Sequence, residues 1–142
     1  MTRREQGTAT VEFVWLSILL LVPFVYVLIA VFDTQRASYA VSAASRSAAR
    51  AYLQAADPAT GEQQARIAAR VALDDQDVDA DVTISCEPGP ADCLQPGSSV
   101  RVMVRTVQPL PLTPSALGDQ LGGIAVDSTH TEPFGTYRAG RS

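Results

Sequence analysis

Residues 1–32 read MTRREQGTATVEFVWLSILLLVPFVYVLIAVF, and this stretch decides the fold. A short basic leader ends at Gly7, and the run from Phe13 to Phe32 contains no charged residue. At about 1.5 Å per residue, a helix over that run covers roughly 30 Å, the thickness of the hydrocarbon core of a bilayer. The stretch therefore predicts a membrane-spanning helix at the amino end of the chain.

Glu12 is the one carboxylate between Gly7 and Asp33, and it stands at the start of the apolar run. A carboxylate at the mouth of a membrane helix is costly, so it usually serves a function. It could pair with the cationic amino terminus of a neighbouring copy, or it could only favour the positive end of the helix dipole, worth about 0.3–1 kcal/mol. We favour a role in processing or assembly.

The apolar run is a poor fit to an ordinary cleaved secretory signal, whose apolar core is about 7–15 residues long. Arginines flank the run on both sides, so the positive-inside count does not decide the orientation. The short basic leader, and the two cysteines on the carboxyl side, favour a cytoplasmic amino end and an extracytoplasmic remainder.

From Asp33 to Ala56 the chain is rich in alanine, so the membrane helix is predicted to continue as a stalk. Small residues share one face of this stalk, which allows another subunit's helix, or this protein's own sheet, to approach closely. That face comprises Ala37, either Ala40 or Val41, Ala44 and Ala48.

Asp57-Pro58 is a helix-start signal, because Asp caps a helix and Pro suits its first position. A second helix is predicted from Pro58 to Leu73, with an inner face formed by Ala65, Ala68 or Ala69, Val71 and Ala72.

Three segments alternate apolar and polar residues with the period of a half-buried strand. They are 78–86, 100–107 and, more weakly, 124–132. A small antiparallel sheet must cover its apolar face, and the stalk and the second helix are the available covers. The expected fold class is α+β, with both helices packed on a three-stranded antiparallel sheet.

Cys86 and Cys93 enclose a loop rich in Pro and Gly between the first two strands, a pattern typical of a disulfide in an oxidising compartment. A zinc site would need more ligands, since His130 is the only histidine. The acidic run from Asp74 to Asp81 lacks the glycine and glutamate of an EF-hand. We therefore predict no metal and no cofactor.

The composition argues against two classes of function. The net charge is −4, and no basic stripe is present, so nucleic-acid binding is not expected. The chain carries neither a Gly-x-Ser-x-Gly nucleophile motif nor a phosphate-binding loop of the Walker type. We predict that the protein is not an enzyme and has no catalytic residues.

The order of these parts resembles the TadE-like pseudopilins of tight-adherence (Flp-type) pilus systems. Members of that family carry a leader ending in Gly, a Val-Glu-Phe near the start of the helix and an Ala/Arg-rich continuation. The matching residues here are Gly7, Val11-Glu12-Phe13 and 45–51. Alternating Val strands, a Pro/Leu-rich link at 109–121 and a closing strand extend the resemblance over most of the chain.

The resemblance implies that a prepilin peptidase cleaves between Gly7 and Thr8, and that Glu12 and Phe13 serve processing and assembly. It divides the chain into a leader (1–7), a transmembrane and stalk helix (8–56), an extracytoplasmic domain (57–132) and a flexible tail (133–142). The implied partners are the membrane, the peptidase, other pilin and pseudopilin subunits, and the pilus assembly platform. The alternative is an uncleaved single-pass membrane protein that displays a small disulfide-bonded binding domain.

Overall fold

A computed structural model describes residues 5–90, 92–109 and 122–137. Helix α1 runs from Glu5 to Gln54 and helix α2 from Pro58 to Asp74. Three strands follow, and they form one antiparallel sheet in the order β1-β2-β3. They are β1 (Asp81–Glu87), β2 (Ser99–Pro109) and β3 (Gly123–Pro133). The predicted α+β class is confirmed.

The core lies between the two helices and one face of the sheet. Side chains alternate between the two faces of a strand, and on β2 those at Val100, Val102 and Val104 are fully buried. The carboxyl-terminal part of α1 covers this face together with α2. The covering residues of α1 are mostly small and 0–6 % exposed, and they comprise Ala37, Ala40, Val41, Ala44, Ala48, Ala49, Tyr52 and Leu53.

Small side chains bring the two helices close together. The buried row of α2 consists of Gly61, Ala65, Ala69 and Leu73, spaced four residues apart. The Ser47 Oγ donates to the carbonyl oxygen of Ala68 at 3.4 Å, which joins the helices. The small-residue face of the stalk is therefore occupied by this protein's own α2 and sheet.

Val71 does not belong to the inner face of α2, contrary to the sequence prediction. Its side chain is 58 % exposed, and that of Ile67, one turn earlier, is 54 % exposed. Alanine dominates the helix, so apolar periodicity is a weak guide to which face is buried. The small residues are buried instead, because only they permit the close approach of α1.

The carboxyl end differs from the expected tail in its first residues. Pro133 is the last residue of β3, and the Phe134 side chain is 1 % exposed in the core. The Phe134 amide donates to the carbonyl oxygen of Ser98 at 2.8 Å. The core therefore extends beyond residue 132, while residues 138–142 lie outside the described part of the chain.

Asp57 caps α2 as its sequence context predicts. Its carboxylate accepts from the Thr60 amide at 2.9 Å and from the Thr60 hydroxyl at 2.7 Å. The backbone hydrogen bond, followed by the hydroxyl, lowers the pKa of Asp57 because both stabilise the charged form.

Replacement of Asp57 by Ala should destabilise the protein at neutral pH, because the cap is lost. The pKa of Asp57 is lower in the folded state than in the unfolded state, so its contribution is present above the unfolded pKa. That contribution disappears as the pH falls through the lowered pKa. The free energies of unfolding of wild type and Asp57→Ala, measured with denaturant in detergent, should therefore differ at pH 7 and become equal in strong acid. A stability difference that does not change with pH would contradict a charged cap.

Gly61 permits the contact between α2 and Tyr52. A Cβ at this position would lie 3.2 Å from Cε1 of the Tyr52 ring. We predict that Gly61→Leu lowers the free energy of unfolding by about 1–3 kcal/mol through overpacking. Gln63→Leu on the exposed side of the same helix should change it by less than about 0.5 kcal/mol. Equal effects of the two variants, measured by denaturant unfolding, would contradict the tight contact.

Candidate functional site

The amino-terminal part of α1, residues 11–32, is an exposed apolar helical segment, the apolar rod. Every Val, Leu, Ile, Phe and Trp side chain between Val11 and Phe32 is between 40 and 70 % exposed. This continuous surface is far more extensive than the apolar patches of soluble monomers. Within the described residues, α1 is the one helix long and apolar enough to cross a membrane, and its apolar window has no buried part. The structure thus fits a protein with a single membrane-spanning helix near its amino end.

Two hydroxyl side chains in this part of α1 are satisfied within the helix. The Ser17 hydroxyl donates to the carbonyl oxygen of Phe13, and the Thr34 hydroxyl to that of Ala30, both at 2.8 Å. Pro23 lies inside α1, and the helix continues through it. Such local hydrogen bonds, and a tolerated proline, are compatible with a lipid environment.

Glu12 is the one acidic side chain between Thr8 and Phe32. It is exposed between Val11 and Phe13, and no hydrogen bond or ion pair joins it to residues 5–90, 92–109 or 122–137. Its neighbours along the helix are the exposed apolar side chains of Val11, Phe13 and Leu16. A carboxylate in such surroundings requires a cation from outside the described chain, or water, to offset its desolvation.

Gly7 and Thr8 lie in the first turns of α1, which begins at Glu5. The peptide bond between them is therefore helical, so cleavage there requires this end of the helix to unwind. The first amides of a helix have no intrahelical acceptor, and glycine costs about 1 kcal/mol in a helix relative to alanine. Unwinding this end to expose the bond is consequently inexpensive.

The Cys86–Cys93 disulfide forms at the end of the domain most distant from the rod. Cys86 belongs to β1, and Cys93 lies in the connection to β2. The adjoining Leu94 side chain is 0 % exposed, and the Ser98 hydroxyl donates to the carbonyl oxygen of Cys93 at 3.0 Å. The disulfide thus anchors the β1–β2 connection to the core, and such bonds persist in oxidising compartments.

Tyr52 lies beside this disulfide, with its hydroxyl oxygen 3.9 Å from the Cys86 Sγ. Burial raises the pKa of the Tyr52 phenol, and the nearby carboxylates of Glu62 and Asp57 raise it further. The phenol therefore remains neutral at physiological pH and takes part in packing.

His130 is paired with Glu132 two residues along β3, at 2.8 Å between Nε2 and Oε2. The sequence reasoning missed this pair, although residues two apart on a strand share a face. A second missed contact joins the hydroxyls of Ser45 and Ser128 at 3.2 Å. Across the described residues, no group of three or more His, Cys, Asp or Glu side chains is close enough to hold a metal ion.

Two further sequence features are the Pro/Leu-rich link and the acidic run. Only the first residue of the link from Pro109 to Leu121 belongs to the described part of the chain, and its leucines lie outside that part. The exposed carboxylates of the acidic run extend from the last residue of α2 to the first residue of β1, and they are Asp74, Asp75, Asp77, Asp79 and Asp81.

Neither a protein-family model nor a curated protein nor a solved structure matches this chain significantly. The bare apolar helix and the disulfide-bonded α+β domain therefore define the site on their own.

Removal of the disulfide should destabilise the domain. Cys86 and Cys93 are seven residues apart, and closing so short a loop contributes about 2–3 kcal/mol in the chain-entropy treatment. We expect the Cys86→Ser/Cys93→Ser variant to lose that much unfolding free energy and to resemble wild type treated with dithiothreitol. A reducing agent that leaves the wild-type unfolding curve unchanged would contradict this expectation.

Proposed function

We propose that the protein is a minor pilin or pseudopilin of a tight-adherence type pilus. In this proposal a prepilin peptidase removes residues 1–7, and the mature chain assembles through its hydrophobic amino-terminal helix. The amino end faces the cytoplasm before cleavage, and the α+β domain is extracytoplasmic. The partners are other pilin and pseudopilin subunits and the assembly platform.

The exposed, unpaired Glu12 is the observation that carries the proposal. It is the fifth residue after Gly7, so cleavage after Gly7 would create a cationic amine at Thr8 only one turn from this carboxylate. On a neighbouring copy displaced along the helix axis, the amine could pair with Glu12 and set the axial register. Each charge alone would carry a desolvation penalty of several kcal/mol in lipid, so pairing favours assembly.

The division of α1 into two parts supports assembly through the amino-terminal end. One face of α1 from Ala37 onward is buried against the protein's own α2 and sheet, so that face is already occupied. Residues 9–32 have no such partner within the described chain, and they offer a helix surface to lipid or to neighbouring helices. The disulfide supports an extracytoplasmic domain, because disulfides persist in oxidising compartments.

The alternative is an uncleaved single-pass membrane protein that displays a binding domain, in which the Gly7–Thr8 bond stays helical. In that case Glu12 would only stabilise the positive end of the helix dipole. Processing after Gly7 distinguishes the two functions.

The test is co-expression with a prepilin peptidase, followed by intact-mass and amino-terminal analysis of the membrane-extracted protein. We expect a chain that begins at Thr8 only when the peptidase is present, and no cleavage of a Gly7→Leu variant. The positive control is another pilin precursor that the same peptidase cleaves. If the control is cleaved and this chain still contains residues 3–7, the cleaved-pilin proposal is wrong and the uncleaved alternative remains.

The same preparations test the role of Glu12 in assembly. Glu12→Gln keeps the shape of the side chain but removes its charge. We expect the amount of this variant in cross-linked high-mass assemblies to fall about tenfold or more, equivalent to about 1.4 kcal/mol. Asp33→Asn, at the other end of the apolar run, is the matched control and should assemble normally. Equal assembly of both variants would contradict charge pairing at Glu12.

A further inference from the structure

The part of α1 that follows the apolar rod has an exposed face as well as a buried one. Its exposed residues recur every three or four positions and therefore share one side of the helix. We call this side the arginine ridge, because it carries three arginines and no carboxylate. It consists of Arg36, Tyr39, Ala43, Arg46 and Arg50. The ridge is accessible to a neighbouring molecule.

Two arginines of the ridge have no carboxylate partner within residues 5–90, 92–109 and 122–137, whereas Arg36 lies 4.0 Å from Asp33. Arg46 is ordered by its own helix, since its guanidinium donates to the carbonyl oxygen and to the hydroxyl of Ser42, both at 3.1 Å. These bonds use two of its five N–H groups. An ordered guanidinium loses less conformational freedom when it binds an external carboxylate.

The carboxyl-terminal end of α2 carries the opposite charge and breaks a local preference. The helix ends at Asp74, Asp75 is its C-cap, and its last turn contains no basic residue. Carboxylates at the negative end of a helix dipole are unfavourable, whereas a cation there is favourable. Both side chains are exposed, and neither forms an ion pair in the described part of the chain. An uncompensated violation of a local rule points to a partner outside the domain.

Asp75 differs from the later carboxylates of the acidic run in its surroundings. Asp79 and Asp81 share a shallow pocket with Arg105. Asp75 lines a different shallow pocket, and no basic side chain is among the described residues that line it. The link at 110–121 contains no basic residue either. Asp75 is therefore the carboxylate to which an external cation would contribute most.

The position of Asp75 along α1 follows from the direction of α2. Gly61, near the start of α2, approaches Tyr52, whereas Asp75, just after its end, shares a pocket with Tyr39 and Ala43. The two helices are thus antiparallel, and α2 ends on the side of the rod. The disulfide lies beside Tyr52, so that end of the sheet is the one distant from the rod. Asp75 is level with residues 39–43 of its own α1.

The proposed pairing of the Thr8 amine with Glu12 of a neighbouring copy fixes the shift between the two copies. Residue 8 of one α1 is then level with residue 12 of the next, a shift of about 6 Å for parallel helices. The same shift brings residues 39–43 of the first copy level with residues 43–47 of the second. The Asp75 carboxylate of the first copy is consequently level with Arg46 of the second.

We propose that Arg46 on the arginine ridge of one copy pairs with Asp75 at the end of α2 of the neighbouring copy. Two different surfaces of the same chain meet in this contact, so it is heterologous and can repeat along an open filament. The inference rests on the proposed function, and it identifies the surfaces through which successive extracytoplasmic domains contact each other.

Charge reversal tests the pair in the same preparations that test Glu12. Arg46→Glu and Asp75→Arg each place like charges at the contact, and we expect the amount of either variant in cross-linked high-mass assemblies to fall about fivefold or more. Both variants should fold, because both positions are exposed and an arginine suits the end of a helix. Arg50→Glu is the matched control, with the same change of charge one turn farther along the ridge, and its loss should stay below about twofold.

Co-expression of the two single variants with different tags separates a contact between copies from one within a chain. In a mixed assembly the contacts alternate between two substituted side chains of opposite charge and two native ones. Within either single variant, however, positions 46 and 75 carry like charges. We therefore expect mixed assemblies that contain both tags and recover to at least about half of the wild-type amount.

Each alternative outcome has a separate meaning. If Arg46→Glu and Asp75→Arg assemble like wild type while Glu12→Gln does not, the pair is wrong and the pilin proposal stands; an arginine in residues 138–142 as the partner of Asp75 would leave Arg46→Glu without effect in this way. If the mixed variants do not recover, the contact between copies is wrong. An equal loss from Arg50→Glu would overturn the register. If the processed wild type forms no assemblies, the proposed function fails, and this inference fails with it.

Discussion

The close contact between the small-residue face of α1 and its own domain is the constraint on which the rest of the structure depends. Ala40, Ala44 and Ala48 are 0 % exposed, and they let the backbone of α1 approach both α2 and the valines of β2. Larger side chains there would separate the layers and expose the sheet. Because the domain is small, it can bury only a modest core, and this interface supplies most of it.

The same contact divides one continuous helix into two parts with different surroundings. Beyond Ala37 the helix is a core element, and before Asp33 it is an apolar surface without a partner in the described chain. A rigid connection between the two parts means that anything that holds the rod also orients the domain. Assembly through the rod, as proposed, would therefore place successive domains in a fixed relation to one another.

The two ends of the domain also differ in character. The end distant from the rod is held by the Cys86–Cys93 disulfide and by the buried Leu94 and Phe134. The end nearest the rod carries the exposed carboxylates of the acidic run between α2 and β1. The cross-link and the largest buried side chains are thus concentrated at the end of the domain that is distant from the membrane-spanning part of α1.

Local pattern was sufficient to predict the apolar helix, the Asp57 cap, the three alternating strands and the position of Glu12, since each depends on neighbours within a few residues. Local pattern failed at Val71, because an alanine-rich helix has little apolar contrast to mark its buried face. Only the tertiary structure revealed three further features. They are the His130–Glu132 pair, the burial of Phe134 and the packing of the small-residue face of α1 against α2 and the sheet. The sequence by itself determined which segments are apolar, helical or extended. Only the tertiary structure decided which faces meet and which end of the sheet lies near the rod, because those depend on contacts between residues distant in the chain.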